Sequence, residues 1–153
     1  MNDLKEITRQ KAEAFLSLKA IGIIGISSNS KKFGNLVYKE LKSKNINIYQ
    51  IHHNLSFANE APCYNSLEKI PEKIEGLLIN VNRKKVKPIL EEYFHKGIRH
   101  FWIQKGSESD EIIQFCKINN IEAIHGKCAL MFAEPVTSIH KFHRIMWKWF
   151  GKS

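Results

Sequence analysis

The sequence lacks the features that mark membrane, secreted and metal-binding proteins. No apolar run approaches the roughly 20 residues of a membrane-spanning helix. The amino terminus, M-N-D-L-K-E-I-T, carries charges where a signal peptide has an apolar segment. Its three cysteines show no C-x-x-C spacing, so they indicate neither a disulfide framework nor a zinc site. We therefore expect a cytoplasmic protein with reduced thiols and no transmembrane segment.

Two common phosphate-binding fingerprints are also missing. The dinucleotide pattern G-x-G-x-x-G is absent because the first three glycines fall at Gly22, Gly25 and Gly34, and the P-loop pattern G-x-x-x-x-G-K-[ST] is absent as well. NAD-binding domains place an Asp or Glu about 20 residues beyond the glycine loop. Here the second predicted strand ends in H-H-N, and the first acidic residue after it is Glu60. An NAD(P)-dependent oxidoreductase is therefore disfavoured and is kept as an alternative.

The length and charge of the chain suggest one domain with an anionic ligand. The chain has 153 residues and a formal net charge of +9, from 24 basic and 15 acidic side chains. This length predicts a single domain over residues 1–153, and no repeat or linker divides it. Positive charge favours phosphorylated cofactors or nucleic acid. Because no RNP motif, helix-turn-helix pattern or zinc site is present, we expect no specific nucleic-acid partner.

Strand and helix patterns alternate along the chain. An amphipathic helix capped by Asp3 is predicted over residues 1–18, and the apolar run I-G-I-I-G-I at residues 21–26 predicts a strand buried on both faces. Helices are predicted after the loop 27–32, ending at Asn45, and over 86–96, with Pro88 in the first turn and Gly97 at the end. A further helix is predicted after a capping Ser107. Further strands are predicted at 46–51, near 63, and at 76–81, 99–103 and 122–125. The alternation predicts an α/β fold: a doubly wound, Rossmann-like, mostly parallel sheet with helices on both faces.

Positive side chains cluster in the loops that follow the predicted strands. Ligands of doubly wound sheets bind beyond the carboxyl ends of the strands, where the strand order reverses. Near those ends, ahead of helix starts or in first helical turns, lie Lys31, Lys32, Arg83, Lys84, Lys85 and Lys105. Cations are unfavourable there because the amino-terminal end of a helix dipole is itself positive. A bound polyanion would remove this conflict, which favours a multiply phosphorylated ligand.

Residues 25–34, G-I-S-S-N-S-K-K-F-G, resemble the G-[AS]-S-x-x-x-x-K-[FY]-G pattern of the small CoA-binding-domain proteins. These stand-alone Rossmann domains are similar to the CoA-binding half of the succinyl-CoA synthetase alpha subunit. The segments C-Y-N-S-L, W-I-Q-K-G-S-E-S and H-G-K-C-A-L-M-F-A-E-P-V match the family in order, so the resemblance spans nearly the whole chain. The sequence departs from the family at I-H-H-N, where V-N-P-N is usual, and at Ile26, Asn82 and Lys105.

The resemblance implies a non-catalytic binding or sensor module for coenzyme A or a short acyl-CoA. It assigns the phosphate-binding role to the loop of Ser27, Ser28, Asn29 and Ser30, with Lys32 for charge pairing. Gly25 would allow close approach of the backbone, and Gly34 would open the following helix. The neighbouring loops would add His53, Asn54, Asn82, Arg83, Gln104, Lys105 and Gly106. An adjacent His52–His53 pair that is solvated and without a role is an alternative, and Phe33 is interpreted as a core anchor.

Catalytic groups are not evident in the sequence. No specific Ser/His/Asp set can be assembled, and the phosphohistidine of the synthetase belongs to a second domain, so a free-standing enzyme is not indicated. Cys128 follows His125 and Lys127 in the sequence and precedes the segment A-L-M-F. Neighbouring positive charge would lower the pKa of its thiol. It is therefore a candidate reactive thiol, although an inert, half-buried cysteine is the preferred interpretation.

The carboxyl-terminal segment predicts a basic amphipathic helix over residues 137–150. Its apolar stripe consists of Ile139, Phe142, Ile145, Met146 and Trp149. Such a helix docks on its own sheet or binds a membrane surface or a partner, and docking is the preferred interpretation. Membrane-surface or nucleic-acid binding through this basic segment is thus a third functional hypothesis, and homodimerisation is left open.

Overall fold

The computed structural model describes residues 2–133, with side chains from Glu6 onward. The helices are α1 (Asn2–Leu16), α2 (Phe33–Ser43), α3 (Arg83–His95) and α4 (Asp110–Ile118), and short 3₁₀ turns lie at Leu67–Lys69 and Ala129–Met131. The strands are β1 (Ile21–Ile24), β2 (Ile48–Ile51), β3 (Phe57–Ala58), β4 (Ala61–Tyr64), β5 (Gly76–Ile79), β6 (His100–Gln104) and β7 (Glu122–Lys127). These strands form one sheet in the order β3-β4-β2-β1-β5-β6-β7.

The winding of the chain reverses between β1 and β5, the two central strands. From β1 the chain passes through α2 to β2 on one side, and from β5 it passes through α3 to β6 on the other. All pairs are parallel except the β3–β4 hairpin. The doubly wound, mostly parallel prediction is therefore confirmed. The carboxyl ends of β1 and β5, where Ile24 lies opposite Ile79, meet at the crevice in which such sheets bind ligands.

Two apolar layers bury the two faces of the sheet. On one face, Ile23, Leu78 and Trp102 pack against α1 and α2. On the other face, Leu77 and its neighbours on β5 and β6 pack against α3 and α4. The apolar runs without polar alternation thus lie in strands covered on both sides, as the sequence pattern predicted.

Several local predictions are confirmed and several are wrong. Asn45 ends the α2 region with φ 65° and Gly97 follows α3 with φ 103°, the left-handed conformations expected after helices. Pro88 was expected in the first turn of α3. It lies deeper because the Asn82 side chain accepts a hydrogen bond from Lys84 N at 3.0 Å and the helix already begins at Arg83.

The loop before α4 and the end of β7 also differ from the prediction. Ser109, not Ser107, caps α4 by accepting a hydrogen bond from Ile112 N at 3.3 Å. Ser107 is buried instead, and its hydroxyl donates to Val81 O at 2.7 Å. β7 runs through Lys127, beyond the predicted end at residue 125, across a register shift in its pairing with β6. Tertiary hydrogen bonds, which a local pattern does not contain, decide these positions.

Two predictions lie outside the described residues: the cap by Asp3, whose side chain is not described, and the helix over 137–150. Within residues 2–133, no helix is long and apolar enough to cross a membrane.

Candidate functional site

Two cavities open at the carboxyl edge of the sheet, on either side of the end of β1. Cavity A has a volume of about 360 Å³ and is lined by Gly25, Ser27, Lys32, Phe33, Gly34, Asn80, Val81, Asn82, Lys105, Gly106 and Ser107. Cavity B has a similar volume, about 360 Å³, and is lined by Ile24, Gly25, Ile26, Ile51, His52, His53, Asn65, Val81, Lys85, Ile89, Glu92 and Tyr93. Because Gly25 and Val81 line both, the two cavities adjoin at the point where the winding reverses.

The loop at 27–32 is shaped by its own short polar side chains. Ser27 Oγ accepts a hydrogen bond from Asn29 N at 3.1 Å, and Asn29 Oδ1 accepts one from Lys31 N at 3.0 Å. The loop delivers the chain to α2 with Lys32 as the amino-terminal cap. No side chain caps this helix and its first turn contains no acidic residue. The positive end of the helix dipole and the Lys32 ammonium together favour an anion at this end of α2.

A chain of amide side chains fixes the backbone of Ser27. Asn35, which is 1% exposed, accepts a hydrogen bond from Ser27 N at 2.9 Å and donates to Ser27 O at 2.8 Å. Asn35 Nδ2 also donates to Asn59 Oδ1 at 3.2 Å, and Asn59 Nδ2 donates to Gln50 Oε1 at 2.7 Å. Gln50 in turn donates to the carbonyl of Ala58 at 2.7 Å. The network therefore ties the 27–32 loop to the β3–β4 hairpin.

Two glycines allow the start of α2 to pack directly on the central strands. A Cβ atom on Gly34 would lie 2.1 Å from the carbonyl oxygen of Gly25, and one on Gly25 would lie 2.1 Å from the carbonyl oxygen of Asn80. Gly25 also has φ +130°, a conformation that other residues rarely adopt. The absence of a side chain at Gly25 therefore lets the backbone after β1 pack directly against the backbone of Asn80, at the end of β5.

The charged side chains that line cavity A are positive. Lys32 and Lys105 approach it from the two sides of the crevice, and its described lining contains no carboxylate, imidazole or thiol. The nearby Glu108 carboxylate accepts a hydrogen bond from Gly106 N at 3.0 Å and so shapes the loop that presents Lys105. The remaining lining groups are backbone, amide, hydroxyl and apolar. Such a lining can bind and orient an anion.

Cavity B is more apolar and contains a histidine pair. Isoleucine side chains from β1, β2 and α3 line it, and the rings of His52 and His53 stack at 5.0 Å with an interplanar angle of 5°. His52 Nδ1 accepts hydrogen bonds from Asn54 N at 3.0 Å and from Leu55 N at 2.9 Å. Burial, and to a lesser degree the neighbouring His53, lower the pKa of His52 below its ordinary value. His52 is therefore half-buried and hydrogen-bonded, not solvated, whereas His53 is exposed.

The structure brings about half of the predicted site residues to the two cavities. Those that line cavity A are Gly25, Ser27, Lys32, Gly34, Asn82, Lys105 and Gly106. His53 lines cavity B. The predicted residues that line neither cavity are Ser28, Asn29, Ser30, Asn54, Arg83 and Gln104. Of the latter, Asn29 shapes the loop and Gln104 is fully buried, with Nε2 donating to Cys128 Sγ at 2.9 Å and Oε1 accepting from Ala129 N at 3.0 Å.

The prediction of a lowered pKa at Cys128 is wrong. The residue is 2% exposed, and burial is the dominant cause that raises the pKa of its thiol above the ordinary value. His125 and Lys127 lie exposed on β7. Cys128 follows β7 into the core between the sheet and α2, where it packs as an inert side chain.

Sequence reasoning missed several lining residues. In cavity A these are Asn80, Val81 and Ser107, together with Phe33, which is 7% exposed and serves both as the expected core anchor and as cavity wall. Asn80 and Val81 directly follow β5, so they would have been found had the adjacency of β1 and β5 been known. Ser107 gave no usable signal because its local sequence reads as a helix cap. Within residues 2–133, no group of three or more His, Cys, Asp or Glu residues is placed to hold a metal ion.

Comparison with known proteins identifies the family. The sequence model of the family described as 'CoA binding domain' matches residues 19–134 of this chain, a range that includes the residues lining both cavities. The chain belongs to this CoA-binding-domain family. The resemblance carried by the 25–34 loop and by the later segments is thereby confirmed.

The similar proteins include CoA ligases and a stand-alone domain. The chain is 23% identical over 137 residues to the ADP-forming acetate–CoA ligase I of Archaeoglobus fulgidus, covering 83% of this chain and 20% of the ligase. It is 30% identical over 86 residues to the alpha subunit of the ADP-forming acetate–CoA ligase II of Pyrococcus furiosus, covering 56% of this chain and 19% of that subunit. A solved structure of a conserved hypothetical protein from Pyrococcus furiosus is 28% identical, with TM-score 0.66, and covers 72% of this chain and 96% of that one. The CoA-binding domain thus spans about a fifth of the curated relatives that it matches.

Proposed function

We propose that this CoA-binding domain binds coenzyme A or a short acyl-CoA, with the pyrophosphate at the Ser27–Lys32 loop. The observation that carries the proposal is the loop itself: it lies at a helix start with no side-chain cap, opens on cavity A, and falls inside the segment that matches the family. Lys32 and Lys105 add positive charge on both sides of the cavity. A pyrophosphate there would accept hydrogen bonds from the backbone at the start of α2 and would be attracted by the two ammonium groups.

Cavity B offers room for a less polar part of the same ligand. It adjoins cavity A through Gly25 and Val81, and its isoleucines and stacked imidazoles present flat apolar surface. The adenine ring is the part of CoA that best matches such a surface, because aromatic rings stack and bury apolar area. We therefore assign adenosine to cavity B. The His52–Asn54 turn would then contact the adenosine end in place of the acid of NAD-binding domains.

The proposed role is binding without chemistry, as a carrier or sensor of CoA. Cavity A is lined by groups that hold an anion, and its described lining contains no carboxylate, imidazole or thiol that could act as a base. The ligase activity is named for longer proteins, of which the match to this chain covers only 20% and 19%. We place the binding function in one domain, residues 1–153. Membrane-surface binding depends on residues 137–150, which lie outside the described part of the chain.

Isothermal titration calorimetry with CoA, dephospho-CoA, NAD and NADP tests this proposal. CoA should bind in preference to both nicotinamide dinucleotides, and CoA at about 100 times its dissociation constant should stabilise the fold by about 2.7 kcal/mol. Tight NAD binding by well-folded protein, with no heat from any CoA species, would show that the proposed ligand is wrong.

A charge-reversal pair locates the pyrophosphate. Lys32→Glu should weaken CoA binding by at least tenfold, about 1.4 kcal/mol, because it places a carboxylate in cavity A. Lys31→Glu is the matched control, since the adjacent lysine makes the same change of net charge and does not line the cavity. Equal losses in the two variants would attribute the effect to overall charge. An equal loss for CoA and dephospho-CoA in Lys32→Glu places Lys32 at the pyrophosphate, whereas a loss confined to CoA places it at the 3′-phosphate.

A further inference from the structure

The imidazole of His52 accepts two backbone hydrogen bonds at a single nitrogen. Asn54 N lies 3.0 Å and Leu55 N lies 2.9 Å from Nδ1. A ring nitrogen that accepts hydrogen bonds carries no proton, so the neutral ring has its proton on Nε2. Asn and Asp side chains close turns in the same way when they accept from the amide two residues later. The His52 ring therefore closes the turn at residues 52–55 as an asparagine would, with the difference that its acceptor can be protonated.

This turn forms part of the wall of cavity B. The peptide of His52 is fixed by a hydrogen bond from its N to Tyr64 O at 2.9 Å, so the turn is attached to β4. His53 stacks on the His52 ring with an interplanar angle of 5°, and both rings line the cavity. The two amide hydrogen bonds to Nδ1 thus determine where both imidazoles stand relative to a ligand.

We propose that His52 is a positioning residue, whose neutral ring holds the 52–55 turn in the shape that binds CoA and whose protonation releases the turn and weakens binding. The inference rests on the proposed function, because CoA is the ligand considered. Protonation at Nδ1 replaces the acceptor with a donor that faces two further donors, so both hydrogen bonds are lost together. The ring then has no fixed position against cavity B.

The surroundings of His52 set the direction of the pH effect. His53 from the same turn shares cavity B with His52 and disfavours its charged form, and Lys85 and Glu92 from α3 line the same cavity with charges of opposite sign. Tyr93 from α3 and Asn65 from the segment after β4 are neutral near pH 7. Burial lowers the pKa of His52 below 6.5. Because the folded state favours the neutral ring, His52 contributes to the free energy of unfolding at pH values above its ordinary pKa. This contribution is lost as the pH falls through the lowered pKa.

Three variants separate this role from other causes of pH dependence. His52→Asn keeps a side-chain acceptor for the two amides and does not titrate, His53→Asn removes the neighbouring ring, and His52→Phe keeps a ring without an acceptor. CoA affinity is measured by calorimetry at pH 8.0 and pH 5.5 for the wild-type protein and each variant. The phosphomonoester of CoA itself titrates near pH 6. This contribution is common to all proteins, so the ratio of the two affinities is compared between variants.

The wild-type affinity should fall between pH 8.0 and pH 5.5 by more than that of His52→Asn, and the extra loss should be at most about tenfold, or about 1.4 kcal/mol, because the pKa of His52 lies below 6.5. His53→Asn should keep most of the wild-type pH dependence. His52→Phe should bind weakly at both pH values, whereas His52→Asn, which loses the ring but keeps the acceptor for the two amides, should bind CoA more tightly than His52→Phe at pH 8.0. An identical pH ratio in wild type and His52→Asn, or wild-type affinity in His52→Phe at pH 8.0, would overturn the inference.

A measurement on the unliganded protein separates failure of this inference from failure of the proposed function. Imidazole ¹⁵N chemical shifts should show His52 with its proton on Nε2. The amide signals of Asn54 and Leu55 should shift together as His52 titrates below its ordinary pKa. A proton on Nδ1 would overturn the role of the turn whether or not CoA binds. If the ring behaves as stated but CoA does not bind at any pH, the proposed ligand is wrong and the positioning of a CoA ligand fails with it.

Discussion

Replacing Asn35 with leucine tests whether the buried amide network holds the 27–32 loop in place. Leucine has a similar size and shape, so the change removes polar contacts with little loss of packing. It deletes the hydrogen bond from Ser27 N at 2.9 Å and the bonds to Ser27 O at 2.8 Å and Asn59 Oδ1 at 3.2 Å. The three partner groups are left to find water or to remain unpaired.

The expected loss follows from the number and burial of these groups. A typical intramolecular hydrogen bond contributes about 1 kcal/mol net, and a buried group left unpaired costs about 1–3 kcal/mol. Asn35 is 1% exposed, whereas Ser27 and Asn59 are half-buried, so water can replace part of the lost bonding. We therefore expect the free energy of unfolding to fall by about 3 kcal/mol. CoA affinity should fall as well, because the peptide of Ser27 is no longer held at cavity A.

Urea unfolding followed by circular dichroism measures the first quantity, and calorimetry at low temperature measures the second. Asn119→Leu is the matched control. Asn119 is exposed at the end of α4, and its side-chain amide donates a local hydrogen bond to Phe115 O at 2.8 Å. It should change the free energy of unfolding by less than about 0.5 kcal/mol. A loss below about 1 kcal/mol in Asn35→Leu, or unchanged CoA affinity in that variant, would show that the network does not organise the loop.

Three further predictions test other features of the fold. The Cys128 thiol should react slowly with alkylating reagents at neutral pH in the native protein, because it is 2% exposed and burial raises its pKa. Rapid modification of Cys128, located by mass spectrometry, would contradict its burial. Gly34→Ala should lower the free energy of unfolding by more than about 2 kcal/mol, because the new Cβ would lie 2.1 Å from Gly25 O. Gly97→Ala is the control: its Cβ would meet no atom within 4 Å, so the variant should be destabilised only by the backbone strain of φ +103°, about 1 kcal/mol. Burial, and to a lesser degree repulsion from nearby carboxylates, raises the pKa of Tyr93 to about 12, so an ultraviolet titration should place its pKa above that of a free phenol. The neutral phenol favours the folded state, and this contribution to the free energy of unfolding should be lost as the pH rises from about 10 towards 12.

The sequence by itself determined the class of fold and the place of the 27–32 loop between β1 and α2. The unbroken apolar runs of β1 and β5 require cover on both faces, and only a layered α/β arrangement supplies it. Asn45 and Gly97 marked helix ends because few residues adopt positive φ at low cost. The 25–34 segment also sufficed to predict the family, since its glycines and hydroxyls lie close together along the chain.

Residues that act at long range could not be recognised in this way. Nothing in the local sequence indicates that the side chains of Gln104 and Cys128 are both buried and joined by a hydrogen bond of 2.9 Å. Local sequence shows that His125 and Lys127 are near Cys128, but it does not show that they lie exposed on β7 while Cys128 enters the core.

Only the tertiary structure decided which polar groups assemble around the two cavities. Asn35 meets Asn59 across 24 positions of sequence, and Asn80 meets Gly25 because β5 lies beside β1. The closure of the 52–55 turn by His52 likewise depends on one ring nitrogen facing two amides, whereas the letters H-H-N indicate only a polar loop. Hydrophobic periodicity is a local property and therefore specifies helices and strands, but the contacts that shape a site arise when distant segments meet, and their geometry is fixed by packing.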